Sequence, residues 1–489
     1  MYRIKFYKRT TYITSLSIVI GMIVFAVVSH EARYIAAPIF ICLSLVVWLG
    51  VSLWDRDRLV PLFDIGFLCA AIIMLYTVYP LINYWVSGMN FGFMSDFRLR
   101  KYHITPSELG IFHFRHVLYL LSFVVVYFFA RGSGKKISLQ EVEVPGRKTI
   151  QAVFLLFFLL TAYFFVLRTV TGINYRTSYE ADAFQNTVTS FANAPLILLQ
   201  ISAKLRSIYS VFMVAVLYIV IIKYDNKLWR ALLIIWLVAE GINTFLLRGD
   251  RGYLFELFIS ALLLFHRLVK NLSFRFLLTA GFGMFIFFIF LGIYRGFGDI
   301  NAMRMDLSQT AAGLMSGSSE FQAILGTSYD VYQMKLNGVH LPWMLYMNDF
   351  VSILPPQQLL PFVKLSGQGW YMQQIGLQDS GLGFMWGVIT QSIIGLDWIE
   401  VILRGAVLGY ILALLHKWYV KRQKGFLETV FYAYMCLQIY YTYRDTTFSF
   451  LNNIIWDMIP FLIMLRLVVG PSLFHIKSSK QRRVDFSSE

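Results

Sequence analysis

The chain alternates long apolar runs with short polar connections. A helix needs about 20 apolar residues to cross roughly 30 Å of hydrocarbon. About twelve segments meet or approach that length, near 12–29, 34–53, 62–85, 109–130, 149–170, 200–222, 231–247, 252–266, 276–294, 399–416, 427–443 and 450–470. Each is expected to be helical, because an unpaired backbone group in lipid costs several kcal/mol. The run after Met1–Thr10 is too long for the apolar part of a signal peptide, and no small-residue cleavage site follows it. It is read as the first membrane helix. The expected fold is thus an all-α polytopic membrane protein of about 12 transmembrane helices in a single transmembrane domain over 1–489.

Composition supports this pattern. Of the 489 residues, 58% are hydrophobic, 17% aromatic and 14% charged. Soluble proteins carry about 25% charged residues, so a soluble enzyme, a nucleic-acid-binding module and a disordered scaffold are excluded. The net charge of +16 is unevenly placed. With the N-terminus inside, the inner connections hold about 25 Lys and Arg in about 78 positions, and the outer ones about 12 in about 174. That asymmetry follows the positive-inside rule and puts both termini in the cytoplasm. Cys42, Cys69 and Cys436 lie inside apolar runs and are expected to be small core hydrophobes, with no disulfide framework.

Two outer connections are long. Residues 171–200 carry mixed polar and aromatic positions. Residues 295–398, between the ninth and tenth segments, carry Gly and Pro punctuation and a short apolar stretch, Phe384 to Ile394, too brief to span and expected to form an amphipathic or re-entrant helix at the outer interface. Long loops in a compact body are usually functional, so the site is expected on the outer face, covered by residues 295–398. No internal repeat is visible.

The sharpest local feature is Leu247-Arg248-Gly249-Asp250-Arg251-Gly252, at an outer turn. Guanidinium groups match phosphate oxygens bidentately and stay charged. The glycines let backbone N–H groups approach an anion, and a helix begins there. A phosphate or pyrophosphate suits this turn; an internal Arg–Asp pair is the structural alternative. Arg295, Arg444, Arg176 and Arg304 are further outer cations, with snorkelling to headgroups as their plain explanation. Among ionisable groups within helices, which usually face a cavity or a partner, Arg404 is placed either to pair with Glu400 at i−4 or to point into the anion site. Group transfer to a hydroxyl needs a general base. Glu320, Asp349 and His340 are the candidates, drawn from outer carboxylates that include Asp330 and Asp397 and from the outer histidines His30, His103 and His340. No paired-carboxylate or D-x-D spacing among the outer carboxylates selects a metal site, so neither metal nor cofactor is expected.

These residues resemble those of the Wzy-type oligosaccharide repeat-unit polymerases, the O-antigen polymerase group. Four stretches carry the likeness: Asp57-Arg58-Leu59-Val60-Pro61 with Tyr79-Pro80-Leu81, the Arg-Gly-Asp-Arg-Gly turn, the long outer loop with Gly317-Ser318-Ser319-Glu320-Phe321, Ser352-Ile353-Leu354-Pro355-Pro356 and Ser380-Gly381-Leu382-Gly383, and Arg444-Asp445. Arg248, Arg251 and Arg444 match family positions directly. One departure is that many relatives carry a Glu where this chain reads Ile389-Thr390-Gln391-Ser392 before Gly395. The resemblance implies a GT-C-like glycosyltransferase of the bacterial inner membrane. It would transfer a growing glycan from undecaprenyl pyrophosphate to the non-reducing end of a lipid-linked repeat unit. The resemblance also implies a flippase and a chain-length regulator of the same pathway as partners. Two other functions compete: an O-antigen ligase, which would depend on a loop histidine such as His340, and a flippase or transporter of lipid-linked oligosaccharide.

Overall fold

A computed structural model of the protein describes residues 2–57, 64–86, 88–89, 101–132, 251–268, 320–354, 365–376, 385–421 and 426–469, with isolated positions elsewhere. The described residues contain helices and no strand. Among the described residues, five stretches are long and apolar enough to cross a membrane: His30–Trp54, Ile65–Val86, Pro106–Arg131, Trp398–Val420 and Ser449–Leu467. Of the other expected segments, those at 149–170, 200–222, 231–247 and 276–294 lie outside the described residues, apart from isolated helical positions.

The chain opens with α1 (Tyr2–Val27) and α2 (His30–Asp57), joined by a two-residue turn, then α3 (Ile65–Val86) and α4 (Pro106–Arg131). The start of α4 is written in Thr105-Pro106-Ser107-Glu108. The Glu108 N–H donates to Thr105 Oγ1 at 3.3 Å, and the Thr105 N–H donates back to Glu108 Oε2 at 2.9 Å. This reciprocal cap satisfies two of the donors that a helix start leaves over, and proline fits the first helical position. Further on come α5 (Arg251–Leu268), then five helices within the long expected loop: α6 (Glu320–Leu336), α7 (Trp343–Tyr346), α8 (Asn348–Ile353), α9 (Gly367–Gln374) and α10 (Val388–Ile394). The last part runs through α11 (Trp398–Lys421), α12 (Phe426–Arg444), α13 (Ser449–Asn453), a π-helical turn at Ile454–Met458, and α14 (Ile459–Val469).

α4 packs on α2, α3 and α11. Its closest partner is α11, and the cause is Gly405-Ala406-Val407-Leu408-Gly409. A Cβ at Gly405 would stand 2.5 Å from the Tyr119 carbonyl oxygen, and one at Gly409 would stand 2.6 Å from that of Phe123. Lipid is as apolar as leucine, so membrane helices associate through close van der Waals packing, which two glycines one turn apart permit. The core around this contact includes Tyr119, Phe123 and Tyr127 of α4, Cys69 of α3 and Leu408 of α11. All three cysteines are buried and free.

α12 is more polar than the spanning helices, yet most of it is buried, including Thr429, Gln438 and Thr442. It lies inside the bundle, where its polar groups meet protein and not lipid. α10 is all buried and only 7 residues long, about 10 Å, so it enters the bundle without crossing it. Lys335 of α6 caps it, with Nζ 2.5 Å from the Ile393 carbonyl oxygen and 3.3 Å from that of Ile394, a favourable place for a cation.

Candidate functional site

The α4 start, the helices of 320–394, the α11 start and the α12 end share one end of the bundle. Among the described residues, the ion pairs at this end form three clusters. At the first, Arg404 of α11 binds two carboxylates. Nη2 lies 2.5 Å from Asp349 Oδ2 and 2.6 Å from Glu400 Oε1, Nε donates to Glu400 Oε1 at 2.7 Å, and Nη1 donates to Thr447 Oγ1 at 3.0 Å. Glu400 is fixed in turn, since Oε2 accepts the Leu396 N–H at 2.8 Å. Gly395 makes room: a Cβ there would stand 1.7 Å from Glu400 Oε2. Asp349 comes from α8, which is tied to the final span by the Trp456 indole N–H donating to the Ile353 carbonyl at 3.0 Å.

Arg444 closes α12, three residues before Thr447. Its Nη1 donates to the Tyr440 hydroxyl at 2.9 Å, and its guanidinium sits 5.1 Å from that ring's centroid. Its carbonyl accepts the Gly387 N–H at 2.9 Å, which ties the start of α10 to the end of α12.

The second cluster joins α4 to the start of α11. Arg115, 4% exposed, makes a bidentate pair with Asp397: Nε to Oδ1 at 2.6 Å and Nη2 to Oδ2 at 2.7 Å. Its guanidinium lies 4.1 Å from the Trp398 ring centroid, with the rings of Phe112 and Tyr332 at 5.1 and 5.0 Å. The third is Asp330 on α6, with no exposed side-chain surface. It accepts the Tyr371 hydroxyl at 2.7 Å and the Tyr102 hydroxyl, and pairs with Lys101 at 2.5 Å. Burial first, and then the Asp330 carboxylate, push the Tyr102 phenol well above the ordinary tyrosine range. Tyr102 therefore remains a donor to Asp330 at any working pH.

Deeper in the bundle, His113 and His116 stack with centroids 4.4 Å apart. His113 Nε2 lies 2.7 Å from the Thr77 carbonyl oxygen, and His116 Nδ1 meets the Tyr443 hydroxyl. A carbonyl only accepts, so Nε2 of His113 carries the proton. The opposite end holds Asp64, which accepts the Gly66 and Phe67 N–H groups at 3.0 and 3.1 Å and the Tyr127 hydroxyl at 2.6 Å, and faces Arg131 at 3.0 Å.

Among the residues expected from sequence, the structure brings Arg404 and Asp349 together, with the i−4 partner Glu400 on the same guanidinium. Arg444 lies on the adjoining turn. His340 is exposed in the connection between α6 and α7. Glu320 opens α6 and Arg251 opens α5; their side chains, and the whole of Arg248, Arg295 and Arg176, lie outside the described residues. Arg115, His113 and His116 escaped the sequence reading. Their signal was present, because ionisable groups within an apolar run usually face a cavity or partner. Gln391 is 1% exposed and uses both ends of its amide. Oε1 accepts the Trp386 indole N–H at 2.9 Å, and Nε2 donates to the Leu345 carbonyl at 2.6 Å. Among the described residues no three His, Cys, Asp or Glu side chains are grouped to hold a metal ion. Comparison with family models, curated proteins and solved structures finds no match to this chain.

Proposed function

We propose that this chain is a membrane glycosyltransferase of the polysaccharide-polymerase type, with a GT-C-like bundle of about twelve spans and its site at the outer face of the bacterial inner membrane. It moves a growing glycan from undecaprenyl pyrophosphate to a hydroxyl at the non-reducing end of a lipid-linked repeat unit. The observation that carries this proposal is the Arg404–Asp349 pair. The Asp349 carboxylate, on a short helix, is held by a guanidinium near the start of a helix long and apolar enough to cross a membrane.

The chemistry divides between two kinds of group. The bond from the sugar's anomeric carbon to the pyrophosphate oxygen breaks as the bond to the acceptor oxygen forms. Asp349 takes the acceptor proton; a positioned base contributes about 100- to 10,000-fold. Arg404 serves as a positioning residue, because its charge is already matched by Asp349 and Glu400. The departing pyrophosphate is left to the outer arginines Arg444, Arg251, Arg248, Arg295 and Arg176, whose fixed charge stabilises the negative charge that develops. Glu320 and His340 are the other base candidates on this face.

The test is a purified protein given a lipid-pyrophosphate-linked repeat unit, with product length read on a gel. Wild type is expected to give a ladder. Asp349→Asn keeps the shape and loses the base, so its ladder should collapse, whereas His340→Ala should leave one. A full ladder from Asp349→Asn removes Asp349 from the role. Transfer by wild type only to a lipid A core acceptor would make the protein a ligase.

A further inference from the structure

The buried arginines of the spanning helices are each matched by a carboxylate: Arg115 by Asp397, Arg131 by Asp64, and Arg404 by Asp349 and Glu400. Arg33, in the first turn of α2, is different. Its Nε donates to the Val28 carbonyl at 3.3 Å and its guanidinium lies 5.0 Å from the Phe25 ring centroid. Among the described residues it has no carboxylate partner. A positive charge in the first turn of a helix is also on the wrong end of the helix dipole, so helix stability does not explain it.

Arg33 and His30 border a cavity of about 400 Å³ between α1, α2, α4 and α11. Its walls are mainly apolar, formed by Pro38, Ile111, Phe114 and Trp398. It is open sideways, since Phe25, Ile111 and Phe114 are 49%, 59% and 40% exposed. Its floor is set by Gly110, where a Cβ would stand 2.5 Å from the Tyr34 carbonyl oxygen. From His30 to Pro38 the helix rises about 12 Å, close to the depth of one leaflet, which is about half of the 30 Å hydrocarbon core. An apolar slot about one leaflet deep, with a guanidinium at its mouth that forms an ion pair neither with Glu31 of the same turn nor with any other described carboxylate, fits an amphiphile with one hydrocarbon chain inside and one negative charge on top.

We propose that this slot is a binding site for an anionic glycerophospholipid of the leaflet nearest the α1–α2 turn. One acyl chain lies along Ile111, Phe114 and Trp398, and the phosphodiester meets Arg33, with His30 beside it. The cation count decides the occupant: one permanent charge matches a single phosphodiester, whereas a pyrophosphate would call for more. The slot also touches the candidate site. Trp398 opens α11, its ring lies beneath Arg115, and Arg404 follows six residues later on the same helix. A lipid against Trp398 therefore braces the helix that presents Arg404. The proposal goes beyond the transferase reading and does not depend on it.

The experiment is native mass spectrometry of the full-length protein in detergent, titrated separately with phosphatidylglycerol, phosphatidylcholine and undecaprenyl phosphate. Phosphatidylglycerol is expected to bind about tenfold more tightly than phosphatidylcholine, the size of one charge-assisted contact. Arg33→Gln should erase that preference, and Arg33→Lys should keep most of it. Ile111→Trp fills the slot from an exposed position and should weaken both phospholipids. Equal binding of the two phospholipids, or a preference that survives Arg33→Gln, overturns the site. Tighter binding of undecaprenyl phosphate with the same Arg33 dependence overturns the phospholipid as its occupant. Bound lipid and glycan length are separate readouts, so failure of one proposal is distinguishable from failure of the other.

Discussion

Arg115 and Asp397 hold the start of α11 against α4 through two short hydrogen bonds, and the burial of the guanidinium sets what their loss costs. Removing one partner strands a desolvated charge, whereas replacing both leaves only a packing problem. Asp397→Ala is expected to destabilise the protein by about 3 kcal/mol, read as a fall in unfolding midpoint in detergent. Arg115→Met combined with Asp397→Ala should recover most of that loss. A double variant no better than the single one would mean that the ring contacts of Arg115, and not its charge, hold the helices together. Gln391 gives a second test at this scale. Gln391→Glu removes the donor to the Leu345 carbonyl and adds a buried charge, so it should destabilise by about 1–3 kcal/mol, also read from the unfolding midpoint. That its amide joins Trp386 to Leu345 depends on α10 and the residues before it meeting α7, which no local pattern encodes.

At the scale of elements, the apolar runs located the described helices, and polar chemistry set their ends. The run at 109–130 becomes α4 from Pro106 because the Thr105–Glu108 cap starts the helix before the apolar residues do. α11 likewise continues to Lys421, past the last strongly apolar turn. The helices between 320 and 394 are a different matter. They are mostly short and mixed in polarity, so hydropathy alone marked only the Phe384–Ile394 stretch as a helix and read the rest as loop. Their order comes from contacts made across the chain: Lys335 on the end of α10, Asp330 beneath Tyr102 and Tyr371, and Trp456 on the end of α8. The α4–α11 contact carries the prediction for this scale. Gly409→Leu would drive a side chain into the Phe123 carbonyl and push α11 off α4. Overpacking of this kind costs about 1–3 kcal/mol. It should also shift Arg404 relative to Asp349, so activity and unfolding midpoint should fall together. A Gly409→Leu protein with unchanged midpoint would show that the two helices are not in contact there.

For the whole molecule, the charge asymmetry gives an orientation and the structure gives a way to test it. His340 is exposed between α6 and α7, and the three native cysteines are buried, so wild type should give little background labelling. A His340→Cys variant in intact cells should react with a membrane-impermeant maleimide, and a fluorescent protein fused to the C-terminus should fluoresce from the cytoplasm. Labelling that requires permeabilised cells would invert the topology and move the Arg404 cluster to the inner face.

By itself the sequence determined that the chain is helical and membrane-embedded, because a backbone in lipid has no water to satisfy it and so must form helices wherever the apolar run is long enough. It also singled out Arg404 and offered Glu400 as its partner, since i and i+4 share a helix face. Only the tertiary structure decided that Asp349, from a separate short helix, completes that cluster, that Arg115 faces Asp397, and that Arg33 stands over an apolar slot with no carboxylate paired to it among the described residues. Those partners lie far apart in sequence or on different helices. What brings them together is the packing of helices, set by the shape of surfaces such as Gly405 and Gly409 and not by the order of polar and apolar residues along any one of them.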